Sequence, residues 1–128
     1  MAISLTVVGC QNKKMINLSE ISRIFEKHGI PLSEPKGMHP ENVFLRNLNG
    51  VAPQAFTINE SQLISIYIYS SSQGAIDGAK DFENKISTAG VVPHSRYLVE
   101  NILLYYVPDG SQKDERIYLV IEEMRSLQ

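Results

Sequence analysis

The chain has 128 residues, a hydrophobic fraction of 43%, a charged fraction of 20% and a formal net charge of −2. That length and balance suit one globular domain able to bury a core without disulfide or metal staples. A single cysteine excludes an internal disulfide and a zinc site built on several cysteines, and the absence of any block of basic residues argues against nucleic acid as a partner.

Small and apolar residues, Met1-Ala2-Ile3-Ser4-Leu5-Thr6-Val7-Val8-Gly9, lead into Cys10, and the chain turns polar at once with Gln11-Asn12-Lys13-Lys14. Val7-Val8-Gly9-Cys10 resembles the lipobox of bacterial lipoproteins. The resemblance covers this N-terminal stretch alone. It implies that Cys10 carries a thioether-linked diacylglycerol and becomes the mature N-terminus. Residues 1–9 are then the remnant of a signal peptide, and residues 10–16 are the attachment point and tether. It also implies anchoring on the outer face of a bacterial cytoplasmic membrane, because two acyl chains hold firmly where one is marginal. The apolar stretch is short and no Lys or Arg precedes it, unlike an ordinary secretory leader. A rival reading stands beside this one. Ile3, Leu5 and Val7 alternate with Ser4 and Thr6, the period of a half-buried strand, and Cys10 would then be a small thiol of the fold.

Residues 17–28 read as a helix. Asn17 caps it, Glu20 completes a capping box, and Leu18, Ile21, Ile24 and Phe25 form one apolar stripe before His28-Gly29 ends it. Residues 30–41 contain three prolines and a glycine and read as a loop. Val43 to Leu48 is expected to be a strand, Asn49-Gly50 a turn, Val51-Ala52-Pro53 a connector and Ala55 to Ile58 a second strand. Leu63 to Tyr69 is the clearest strand, apolar on both faces apart from Ser65, and is therefore expected centrally. Ser70-Ser71-Ser72 opens a helix over residues 72–87, with Ala75, Ile76, Ala79, Phe82 and Ile86 along one side. Arg96 to Val99 and Ile102 to Val107 form a hairpin around Glu100-Asn101. Pro108-Asp109-Gly110 breaks the sheet. Ser111 is expected to cap a last helix, with Asp114 at its third position and Ile117, Val120, Ile121, Met124 and Leu127 on its apolar face.

The order α-β-β-β-α-β-β-α, with short connections, predicts the α+β class. The expected architecture is a two-layer sandwich of about five mostly antiparallel strands with helices on one face, residues 17–128 forming a single domain. The strand over 63–69, the helix over 72–87 and the strand over 95–99 fit a split βαβ unit of the ferredoxin-like kind.

The chemistry-bearing residues are few. His28, His39 and His94 are too widely spaced to form a helical metal-ligand pair, and His28 suits the C-terminal end of a helix dipole. His39, Glu41 and His94 are candidates for a shallow pocket, against the plain reading of solvated loop side chains. There are six tyrosines and no tryptophan. Tyr67, Tyr69 and Tyr105, on expected strands, are candidates for a ligand or partner surface, against simple cross-strand packing. Ser70 to Gly74 lacks the glycine order of a phosphate-binding loop. Cys10 has no neighbouring histidine to activate it as a nucleophile, and no carboxylate pair is placed for acid–base work.

The sequence thus predicts a non-enzymatic domain without metal or cofactor. Its expected partners are a membrane, reached through the lipid, and an unidentified envelope protein or ligand. In general character the body is similar to small lipoproteins of Gram-positive bacteria. The alternative is a soluble cytoplasmic α+β module that binds a small ligand or dimerises, with residues 3–8 as a true strand.

Overall fold

The computed structural model describes residues 15–35, 42–86, 91–110 and 112–127. The expectations placed on residues 3–8, Cys10, His39, Glu41 and Ser111 lie outside the described residues. Helix α1 is Leu18–Lys27, α2 is Ser72–Ile86 and α3 is Arg116–Arg125; strands β1 to β4 are Gln54–Ile58, Gln62–Ile68, Ser95–Val99 and Ile102–Val107.

Local signals set the ends of α1. Asn17 Oδ1 accepts from the Glu20 N–H at 2.9 Å, and Glu20 Oε1 accepts from the Asn17 N–H at 3.1 Å, which completes the capping box. At the other end Gly29 takes φ +82°, so the Ile30 N–H reaches back to the Phe25 carbonyl at 3.0 Å and closes the helix. Helix α3 starts later than the sequence suggests. Asp114, expected inside it, lies just before it and accepts from the Arg116 N–H at 3.0 Å.

The four strands run in the order β1-β2-β4-β3, and each neighbouring pair is antiparallel. Since β2 and β3 both oppose β4, they are parallel to one another with β4 inserted between them, a split βαβ unit closed by α2. The α+β class holds. β2 is central, as its apolar faces require, and β4 lies beside it.

Two parts of the expected architecture need correction. First, helices cover both faces of the sheet. Ile64, Ile66, Ile102, Leu104 and Tyr106 pack under α1 and α3, with Ile21, Ile24, Phe25, Ile117, Val120 and Ile121. The alternate residues Leu63, Tyr67, Leu103, Tyr105 and Val107 pack under α2, with Ala75, Ala79 and Phe82. The molecule therefore has three layers, because a strand pair apolar on both faces needs two covers.

Second, among the described residues the sheet has four strands, and Val43 to Leu48 is not one of them. Asn42 caps a single 3-10 turn, Val43–Leu45, by accepting from the Phe44 N–H at 2.8 Å. Leu48 and Val51 then exchange a pair of backbone hydrogen bonds at 2.9 and 3.0 Å around Asn49-Gly50. The segment lies over the sheet, not along its edge. Alternate side chains of β2 and the residue just past it satisfy alternate carbonyls of this segment. Ser65 Oγ donates to Phe44 at 2.6 Å, Tyr67 Oη to Arg46 at 2.6 Å and Tyr69 Oη to Leu48 at 2.8 Å. Side-chain hydroxyls thus do what a neighbouring strand would otherwise do for these carbonyls.

Candidate functional site

The face of the sheet beneath α2 opens, beside the C-terminal half of that helix, into a cleft of about 350 Å³. Phe82, Glu83 and Ile86 of α2 line it, together with His94, Arg96 of β3 and Tyr105 of β4. The strand register explains two of these. Arg96 pairs directly with Tyr105, so their side chains leave the same face side by side. Helical spacing brings Phe82, Glu83 and Ile86 to the same side of α2.

Aromatic rings build the floor. Phe82 and Tyr105 lie 4.3 Å apart between centroids, and Phe44 packs behind them at 5.5 and 5.8 Å. His94 stands against all three, with its ring 5.1 Å from Phe44, 5.6 Å from Phe82 and 5.8 Å from Tyr105. His94 Nδ1 lies 3.0 Å from the Val92 carbonyl. A carbonyl can only accept, so this nitrogen carries the proton, and in the neutral ring Nε2 keeps its lone pair.

The rim is charged. Arg96 Nη1 donates to Glu83 Oε2 at 2.7 Å, with the two side chains 43% and 64% exposed. Tyr105 is only 1% exposed, and its hydroxyl has no hydrogen-bond partner among the described residues. Burial pushes the Tyr105 phenol well above the usual tyrosine range, while the nearby Arg96 guanidinium works in the opposite direction.

His94 and Tyr105, two of the residues singled out from sequence, therefore meet in one cleft. Tyr67 adjoins it, its ring 6.2 Å from that of Tyr105, but its hydroxyl is engaged by the Arg46 carbonyl. Tyr69 stacks on Tyr67 at 6.5 Å, and its hydroxyl is engaged by Leu48. His28 is distant in role as well as place. Its Nε2 lies 2.9 Å from Glu123 Oε1, beside the Lys27–Glu123 ion pair at 3.0 Å, and ties α1 to α3. Cys10, His39 and Glu41 fall outside the described residues.

Sequence reasoning missed Arg96 and Glu83. Arg96 had a signal: a hairpin turning at Glu100-Asn101 places residue 96 opposite residue 105. Glu83 had none, because its position over the hairpin depends on how α2 docks.

A larger hollow of about 440 Å³ lies at the start of α3, between Tyr97, Tyr106, Asp114 and Tyr118. Its buried polar atoms are already paired. Tyr106 Oη donates to Gln62 at 2.8 Å and accepts from the Asp114 N–H at 2.8 Å. The Asp114 carboxylate holds Arg116 at 2.7 Å and Asn59 at 2.8 Å. The cleft at Tyr105 is the better candidate because it keeps an unpaired buried hydroxyl.

Among the described residues, no three His, Cys, Asp or Glu side chains are grouped to hold a metal ion, and no helix is long and apolar enough to cross a membrane. Comparison with family models, with curated proteins and with solved structures returns no significant match.

Proposed function

We propose that the chain is a binding domain tethered to the outer face of a bacterial cytoplasmic membrane through a diacylglyceryl thioether on Cys10. The observation that carries this is the sequence Val7-Val8-Gly9-Cys10, which resembles a lipobox and is followed at once by polar residues. Among the described residues, both core layers draw on side chains from Ile16 onward. The backbone of Ile16 is fixed at both its N–H and its carbonyl by Asn101. On this reading the positions between Cys10 and Ile16 serve as a short leash, spanning at most roughly 20 Å if extended. That clears a headgroup layer of roughly 6 Å and keeps the body close to the membrane surface. The cleft is read as a recognition site, its one lining carboxylate, Glu83, being engaged by Arg96.

A second reading, a soluble cytoplasmic module with residues 3–8 as a strand, is favoured by one observation. Among the described residues the outer edge of β3 has no strand beside it, which leaves a place where such a segment would pair.

Expression from the native gene in a Gram-positive bacterium separates the two. On the tethered reading, the protein incorporates labelled palmitate and partitions into a detergent phase, and Cys10→Ala abolishes both. An unlabelled, aqueous wild-type protein overturns the anchor. A chain beginning at Met15 completes the test. An unchanged unfolding midpoint supports a leash, whereas a large fall supports the strand.

A further inference from the structure

We propose that the cleft between α2 and the β3–β4 hairpin binds a small monocarboxylate with an apolar body, which takes Arg96 from Glu83 and accepts a hydrogen bond from Tyr105. The proposal rests on the binding half of the function above and is independent of Cys10. Tyr105 carries it. Nearly every buried polar group in a folded protein has a partner, yet the Tyr105 hydroxyl is buried without one among the described residues. The residue paired with it across the strands is Arg96, a fork of donors shaped for a planar carboxylate.

The present partner of Arg96 is easily exchanged. Glu83 and Arg96 form a largely exposed pair, of the kind that adds little to stability. A ligand carboxylate replaces the Glu83 carboxylate on the same guanidinium, and Glu83 turns to solvent. Arg96 changes rotamer as it does so, a motion of the fastest class, and the carboxylate enters between it and the phenol paired with it across the strands. One negative charge is exchanged for another. A dianion would add a further charge beside Glu83.

The apolar requirement comes from the walls. Phe82 and Ile86 line the cleft beside Tyr105, the Phe82 ring lying 4.3 Å from the Tyr105 ring, and His94 lines it with Nδ1 already held by Val92. The volume of about 350 Å³ is at the small end for ligand sites, which suits a molecule the size of an aromatic acid.

The test uses benzoate as probe, benzamide as its neutral isostere and inorganic phosphate as an ion control, with the full chain followed by amide chemical shifts at neutral pH. Benzoate is expected to shift Phe82, Arg96 and Tyr105 saturably, with a dissociation constant on the order of 1 mM. Benzamide should bind at least about tenfold more weakly, as should benzoate to Tyr105→Phe, which keeps its fold because no bond is lost. Glu83→Gln should bind benzoate more tightly, since the competitor is weakened. The proposal is overturned if benzoate gives no saturable shift, if benzamide or phosphate matches it, if Tyr105→Phe retains full affinity, or if Glu83→Gln binds less tightly. A chain that fails to label with palmitate yet binds benzoate in this pattern loses the anchor and keeps the cleft.

Discussion

The side-chain amide of Asn101 grips both backbone groups of Ile16, accepting from its N–H at 2.8 Å and donating to its carbonyl at 3.1 Å, across 85 positions of sequence. The same Nδ2 donates to the Tyr69 carbonyl at 2.9 Å, while the Asn101 carbonyl accepts from the Tyr69 N–H at 2.9 Å. One residue in the β3–β4 turn thus joins the end of β2 to the backbone just ahead of α1. Glu100, with φ +51°, supplies the left-handed step that turns Asn101 inward.

Asn101→Ala is expected to lower stability by about 2–4 kcal/mol, since three buried hydrogen bonds go and their backbone partners stay buried. Asn101→Asp should be no better at neutral pH, because a carboxylate would face two carbonyls. Urea unfolding measures both. A loss below about 0.5 kcal/mol for the alanine variant would mean that water replaces the amide without cost.

Two tyrosine-to-phenylalanine changes should differ in sign. Tyr67 Oη holds the Arg46 carbonyl at 2.6 Å and lies 3.3 Å from that of Phe44, so Tyr67→Phe is expected to cost about 1–2 kcal/mol and to speed amide exchange through residues 43–48. Tyr105→Phe removes a hydroxyl with no partner among the described residues and should be neutral or stabilising. Equal losses at both positions would show that the Tyr105 hydroxyl is satisfied in solution.

Gly78 is required by Tyr69. A Cβ at this position would overlap the phenol oxygen and come within 2.7 Å of its Cζ, in a part of α2 where the glycine is buried. Gly78→Ala should therefore destabilise by about 1–3 kcal/mol, even though alanine is the better helix former by about 1 kcal/mol. The same substitution should cost less in a Tyr69→Phe background, where the overlapping oxygen is gone. A stabilising Gly78→Ala in the otherwise unchanged chain would contradict the contact.

Acid should weaken the fold partly through Asp114. The Arg116 guanidinium is the chief cause holding this carboxyl well below its usual range, with the Asn59 amide adding to it and burial opposing it. Glu123 is lowered in the same sense by Lys27 and His28. A carboxyl lowered in the folded state stabilises that state above its unfolded pKa of about 3.9 and loses this contribution as pH falls towards the folded value. The unfolding midpoint should decline below about pH 4, and the deficit of Asp114→Asn at neutral pH should shrink in acid. A deficit that stays constant with pH would assign the effect to hydrogen-bond geometry and not to charge.

Much of the local structure was legible in the residues themselves. The Asn17–Glu20 capping box, the His28-Gly29 stop and the tight turn at Glu100-Asn101 are short-range devices whose partners lie within a few positions. The central place of β2 was legible too, because its residues are apolar at every position but Ser65 and Gln62. Val43 to Leu48 misled for a specific reason. Its composition suits a strand, but its carbonyls are satisfied by Ser65, Tyr67 and Tyr69, and nothing near residue 43 announces donors some twenty positions away.

The candidate site divides in the same way. His94 and Tyr105 drew attention as residue types, and the hairpin register alone places Arg96 against Tyr105. What brought Glu83 over that pair, and left one tyrosine hydroxyl paired and another not, is the docking of α2 on one face of the sheet while α1 and α3 take the other. An apolar stripe tells that a helix must be covered. It does not tell by which face, because that depends on strand register and on contacts between residues far apart in the chain.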